Sequence, residues 1–241
     1  MGLAEMPGTS IVREAHLLPE YALDLQFSRM WYERARKPLL REPVYLALKR
    51  TLDIALCIAV LPFVLVILAV CWIAIKLDSP GPAMFSHLRT GKSGQRFKMY
   101  KLRTMVKNAE ELKAEYIHMN TLSYPDFKIC NDPRVTPIGR ILRKTSLDEL
   151  PQIFNVLRGD MSLVGPRPTS FSASTYSLWH TARLEVSPGV TGLWQVSGRS
   201  ELDFDDRLRL DIAYIRNRSM WLDQRILFRT VGSVVSGRGA N

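Results

Sequence analysis

Residues 54–75 read IALCIAVLPFVLVILAVCWIAI, an uncharged run bounded by Asp53 and Lys76, and no other feature restricts the fold so strongly. As a helix the run rises about 33 Å, enough to cross a hydrocarbon core of about 30 Å. One reading is a single spanning helix with Pro62 as a tolerated kink. Charge argues for another. Arg34, Arg36, Lys37, Arg41, Lys49 and Arg50 precede the run, and Lys76, Arg89, Lys92, Arg96, Lys98, Lys101 and Arg103 follow it. Flanks rich in Lys and Arg stay on the cytoplasmic side, and a spanning helix can keep only one of these two there. Pro62 removes a backbone donor near the middle and pushes against the carbonyl of Ile58. The arms on either side reach roughly 13–20 Å, the size of a helix-break-helix that dips into lipid and returns. No Ser or Thr adjoins Pro62 to satisfy the freed carbonyl. The expectation is a monotopic membrane protein: an N-terminal extension over 1–48, a re-entrant hairpin over 49–78 and a cytosolic domain over 79–241.

The formal net charge of +10 calls for a polyanionic partner. Nucleic acid, an anionic membrane face and nucleotide-type substrates all qualify. The apolar run, and the lack of a recognition motif or an interleaved aromatic-basic face, speak against nucleic acid. Three cysteines, Cys57 and Cys71 inside the apolar run and Cys130 beyond it, make neither a disulfide framework nor a zinc spacing. The start, MGLAEMPGTS, lacks the basic and apolar regions of a signal peptide. Between Pro19 and Pro38 a helical pattern places Leu23, Phe27, Met30 and Trp31 on one face, as in an interfacial helix, an interaction arm or a short packed helix. A homo-oligomer is left open.

Past the turn cluster at 78–82 the fold reads as mostly α with a small β-hairpin. Alternating segments at 83–88 and 96–103 flank Thr90-Gly91-Lys92-Ser93-Gly94. The Gly-Lys-Ser triplet suggests a phosphate loop, but Ser86 stands where that loop needs glycine, so a hairpin turn explains it better. Helical patterns follow at 105–119, 140–143, 151–158, 203–218 and 221–235.

Chemistry concentrates in residues 132–168, DPRVTPIGRILRKTSLDELPQIFNVLRGDMSLVGPRP. Two adjacent carboxylates, Asp148 and Glu149, lie among arginines and lysines, closed by turns of Gly and Pro. An ionised carboxylate in a basic pocket suits phosphoryl transfer: cations hold the phosphate, and the carboxylate attacks it or carries its metal. A plainer reading is a capping box, Ser146 as N-cap and Glu149 reaching back; another sets Pro151 in the first helical turn. Both place the pair near a helix start that favours anions. Neighbours on a helix diverge by about 100°, so the two carboxylates suit separate tasks rather than a glycosidase pair. Arg143 and Arg167, the latter between two prolines, are candidate phosphate clamps, because a guanidinium grips phosphate with two donors.

The run LRKTSLDELPQIFNVLRGDMSLVGPRP resembles the bacterial sugar transferase family, the monotopic phosphoglycosyl transferases. Matching elements are Lys49-Arg50-Thr51-Leu52-Asp53, Tyr100-Lys101-Leu102-Arg103-Thr104-Met105, Asp132-Pro133-Arg134-Val135-Thr136 and residues 187–199, SPGVTGLWQVSGR. The resemblance covers about 49–237. It implies transfer of a sugar-1-phosphate from a UDP-sugar to polyprenyl (undecaprenyl) phosphate, with release of UMP, at the cytoplasmic face of the bacterial inner membrane. It also implies that Asp148 is the covalent nucleophile, and that Mg2+ is held at Asp148 and Glu149. Arg143, Arg167, Lys101 and Arg199 are then the phosphate-binding set, with Pro62 at the membrane break. Small family members often carry Ser before that proline; Leu61 stands here. Larger members add spanning helices and a further domain, so the chain reads as a core with a short extension. The alternative from another class is a catalytically silent membrane scaffold that binds polyprenyl phosphates or partner enzymes.

Overall fold

The computed structural model describes residues 40–120, 129–172, 175–176, 178–197 and 203–235. Its first element, α1, is a helix over Glu42–Asp78. It begins before the apolar run because Pro43, lacking an N–H, suits a first helical turn. The expected break is not seen. The helix passes through Pro62 without interruption. One lost donor is a local cost, and packing on both sides of the proline holds the helix line. Asp53, Cys57, Leu61, Val64, Leu68, Cys71 and Ile75, spaced by three and four residues, form a single stripe facing the rest of the protein. The opposite side stays open and apolar, with Ile58, Phe63, Val66, Val70, Ile73 and Leu77 exposed. A helix apolar all round requires an apolar environment, and α1 is long and apolar enough to cross a membrane.

Polar anchors fix both ends of α1. At its start, Lys49 pairs with Asp223 at 3.0 Å. Arg50 donates to the carbonyls of Val156 and Leu157 at 2.6 and 3.0 Å, and Ser162 donates to Asp53 at 2.7 Å. At its end, Arg103 donates to the carbonyls of Ser79 and Pro80. The matching motif residues 49–53 and Arg103 are therefore girders of the helix–domain joint.

The expected hairpin forms as β1 (Met84–Thr90) and β2 (Arg96–Leu102), antiparallel, with Phe85 opposite Lys101, His87 opposite Met99 and Arg89 opposite Phe97. The helix expected over 105–119 is replaced by turns and two short 3-10 segments, Glu111–Lys113 and Ile117–Met119. Its start is pulled extended, since Met105 bridges to Val135 and the Val106 N–H donates to Arg134 O. Helix α2 (Pro137–Thr145) is capped by Thr136, whose hydroxyl accepts from the Gly139 N–H. A side chain at Gly139 would run into the Thr104 backbone. That close approach brings α2 against the end of the hairpin.

A 3-10 turn over Leu147–Glu149 leads to α3 (Gln152–Arg158), which stops as expected at Gly159, in the left-handed region at φ 100°. Two short parallel strands, β3 (Ser162–Val164) and β4 (Gly189–Thr191), were not anticipated. Their crossover carries Arg167 and a 3-10 segment, Leu178–Glu185. Gly189 lies so near Gly165 that no side chain fits there, which presses the 165–168 turn onto the strand pair. Helices α4 (Leu193–Ser197), α5 (Phe204–Asn217) and α6 (Met220–Val235) complete the chain, the last two where their periodicity places them. Their core joins Leu193, Leu210, Tyr214, Leu222 and Ile226 to Val164. Of two further clusters on the α1 stripe, one packs α3 and β2 against it and the other packs α2 and the end of β2. The fold is mostly α with one small hairpin.

Candidate active site

Asp148 and Glu149 occupy a 3-10 turn that leads through Pro151 into α3, so the pair lies just before a helix start, as the second reading has it. Ser146 ends α2 in the left-handed region at φ 58°, and its side chain makes no cap. The capping box is therefore not formed. Glu149 instead turns toward two cations. Its Oε1 accepts from Lys101 Nζ at 2.7 Å and from Arg167 at 2.5 Å, and its Oε2 accepts from Arg167 at 3.3 Å. Asp148 is buried, with Lys101 Nζ 3.4 Å from its Oδ2.

These surroundings drive the two carboxylates apart. Burial lifts the Asp148 carboxyl above the usual aspartate range; Lys101 and Arg143 oppose the shift and the charge on Glu149 adds to it. Burial pushes Glu149 up as well, but Arg167 and Lys101 overcome it and hold the group well below the ordinary carboxylate range. Divergent neighbours of this kind mark divided roles. Glu149 is held as an anion between two cations, while Asp148 is shifted toward its neutral form.

The expected clamps stand differently. Arg143, near the end of α2, directs Nε to Thr104 Oγ1 at 3.0 Å and is otherwise exposed. Arg167 sets its fork on Glu149, and its own carbonyl accepts from Arg183, which pairs with buried Asp211 of α5 at 2.6 Å. This brace was missed, because nothing in the spacing of Arg183 and Asp211 signals contact with 165–168. Lys101 reaches the dyad as expected. Arg199 lies outside the described residues, as do 1–39. Pro62 sits on the exposed side of α1. His87 and Arg89 were also missed as site residues; both feel the charges of Arg167 and Glu149. Alternation along β1 would have placed them on the face that carries Lys101.

No trio of His, Cys, Asp or Glu able to hold a metal alone occurs among the described residues. A magnesium ion seldom needs one, since one or two carboxylates and substrate phosphates suffice. Asp148 and Glu149, adjacent in the 3-10 turn, are the carboxylates that fit that arrangement. A cavity of about 130 Å³ lies elsewhere, lined by Tyr45, Lys49, Arg50, Asp53, Ser162 and Tyr214. It contains neither member of the dyad.

The chain is similar to known proteins over most of its length. The bacterial sugar transferase family matches residues 44–237. The undecaprenyl-phosphate galactose phosphotransferase of Salmonella typhimurium is 45% identical over 198 residues, covering 80% of this chain and 41% of that protein. The exopolysaccharide production protein ExoY of Rhizobium meliloti is 39% identical over 201 residues, covering 80% of this chain and 87% of its own. A UDP-N-acetylgalactosamine-undecaprenyl-phosphate N-acetylgalactosaminephosphotransferase of Aeromonas hydrophila is 37% identical, covering 87% and 48%. The chain thus spans less than half the length of the first and last of these relatives. With the family matched across the whole described core, the chain belongs to the bacterial sugar transferases.

Proposed function

We propose that this protein moves a sugar-1-phosphate from a UDP-sugar to undecaprenyl phosphate, releasing UMP, as the first membrane step of exopolysaccharide, capsule or glycoconjugate assembly. The observation that carries the reading is the divided dyad: a buried aspartate poised beside Lys101, with its neighbour neutralised by Arg167. In the first half, an Asp148 oxygen attacks the phosphorus that bears the sugar. The bond from that phosphorus to the bridging oxygen breaks, and UMP departs with the electron pair. In the second half, an oxygen of the lipid phosphate attacks the same phosphorus. The aspartyl bond breaks, the carboxylate is restored and a polyprenyl diphosphate sugar is formed. Dividing the transfer lets a soluble donor and a lipid acceptor use one site in turn. Lys101, Arg143 and Arg167 offset repulsion between the carboxylate and the incoming diphosphate. Magnesium, when bound by the Asp148–Glu149 pair, would supply further charge stabilisation to the phosphoryl oxygens.

The proposed setting is the cytoplasmic face of the bacterial inner membrane. Both ends of α1 are pinned to one domain, and the whole stripe between them faces that domain. A perpendicular span would draw the domain's polar surface through hydrocarbon. Both ends of α1 on the cytoplasmic side, its open face in lipid and its basic flanks on anionic headgroups, satisfy the packing and the charges together. The sugar is left as a UDP-hexose, because the relatives' names differ at this point. Purified protein with undecaprenyl phosphate and a panel of UDP-sugars should release UMP with at least one donor. Absence of UMP across the panel would favour the silent scaffold.

A further inference from the structure

Arg89 and His87 carry polar atoms that no described residue engages. Arg89 Nε and His87 Nε2 are both buried and have no hydrogen-bond partner among the described residues. Antiparallel register puts both side chains on the hairpin face that delivers Lys101 to the dyad. Arg96, a second guanidinium close to Arg89 besides Arg167, behaves differently. It donates to Thr90 Oγ1 and to the carbonyls of Leu88, Ser170 and Phe171, and so serves as a pin.

Arg89 is held among like charges. Its pKa is pushed down to about 10 by burial first, then by Arg167 and Arg96, with Glu149 in partial opposition. A desolvated guanidinium facing another cation is costly unless an anion joins them. Buried unsatisfied donors commonly mark a partner not yet in place. That partner must offer several acceptors and negative charge, since Glu149 is already shared by Lys101 and Arg167. His87 adds no charge, because burial, Arg89, Lys101 and Arg167 push its pKa down to about 3. A neutral ring can still donate from Nε2 in one tautomer.

We propose that Arg89, assisted by His87, is a phosphate-binding residue that holds a phosphate between itself and Arg167. The phosphate's source, a nucleotide diphosphate or a lipid phosphate, rests on the proposed transferase activity; the anion site itself does not.

Two measurements on Arg89→Gln test this. Inorganic pyrophosphate should raise the melting temperature of the wild-type protein through preferential binding to the folded state, and the rise should vanish in the variant. An equal rise in both proteins, or no rise in either, overturns the proposal whatever the protein catalyses. The second measurement follows the two half-reactions in single turnovers. A roughly ten- to hundredfold slowing, the scale of a lost charge-assisted hydrogen bond, is expected in at least one. Slowing of UMP release from UDP-sugar alone assigns Arg89 to the donor phosphates. Slowing only when undecaprenyl phosphate meets the preformed adduct assigns it to the lipid phosphate. Unchanged rates in both halves overturn the proposal. Failure of the wild type to release UMP would count against the transferase reading alone, with pyrophosphate still judging Arg89.

Discussion

Replacing Glu149 by Gln removes one charge and leaves two cations, Lys101 and Arg167, without their shared anion. Taking one partner from a buried ion pair costs about 3–5 kcal/mol. Arg167 keeps 31% of its side chain exposed, so solvent can recover part of its charge and the loss should fall near 3 kcal/mol. In a chain of 241 residues, that lowers the melting temperature by about 6–12 °C. The effect should depend on pH in a definite direction. Because the folded state depresses Glu149's pKa, its contribution is complete above the ordinary glutamate range and fades as pH falls through the folded value. The gap between wild type and variant should therefore be widest near neutrality and shrink in acid. A second consequence touches the reaction. Without Glu149's charge the upward push on Asp148 weakens and Lys101 is left to Asp148, so the acid limb of the rate profile should move to lower pH. Turnover should fall roughly hundredfold as Arg167 loses its seat. Melting scans and pH–rate profiles on the same preparation separate these effects. A variant that melts within about 1 °C of wild type, with its acid limb unmoved, would refute the ion-pair reasoning.

In the wild type, activity should decline as pH drops through a value above the usual aspartate range, because the proposed attack requires ionised Asp148. The raised pKa also means that Asp148 favours the folded state most in acid, a contribution lost as pH rises through the folded value; Asp148→Asn should flatten that component of the pH–melting curve. Arg183→Lys keeps a cation beside Asp211 but gives up the fixed position of Nη2, which donates to both Asp211 and the Arg167 carbonyl, so the rate should fall roughly ten- to hundredfold while Asp211 stays paired and the melting temperature changes little. For topology, single cysteines at Ser10 and Ser236, in a protein lacking Cys57, Cys71 and Cys130, should both resist an impermeant thiol reagent on intact cells; labelling at Ser10 would mean a spanning helix. Pro62→Leu should leave both sites protected, since the α1 stripe packs on either side of the proline.

Local signals carried much of this architecture. The hairpin, the stop at Gly159 and helices α5 and α6 follow from alternation, glycine and 3.6-residue periodicity, which neighbours in sequence alone determine. The β3–β4 pair was not legible, because three-residue strands have no period and their pairing depends on Gly165 meeting Gly189. Residues 105–119 show the reverse error. Their helical composition gives way to the contacts of Met105 and Val106 with the segment at 134–135. At the site, the motif brought Asp148, Glu149, Lys101 and Arg167 to attention, yet its capping reading failed. Ser146 was needed to end α2, and Glu149 found stronger partners than a backbone N–H. The brace from Asp211 through Arg183 to Arg167 is a tertiary contact without local signature. Pro62 suggests a break because sequence shows the lost donor but not the packing of Leu61 and Val64 beside it.

The central claim is that Asp148, and not Glu149, takes the sugar phosphate. Protein mixed with a UDP-sugar that supports UMP release, in the absence of undecaprenyl phosphate, then quenched and digested, should carry the added mass of a phosphosugar on the peptide that contains both residues. Fragmentation should place the mass on Asp148, and Asp148→Asn should lose it while Glu149→Gln retains it. An adduct that persists in Asp148→Asn, or that maps to Glu149, would contradict the account.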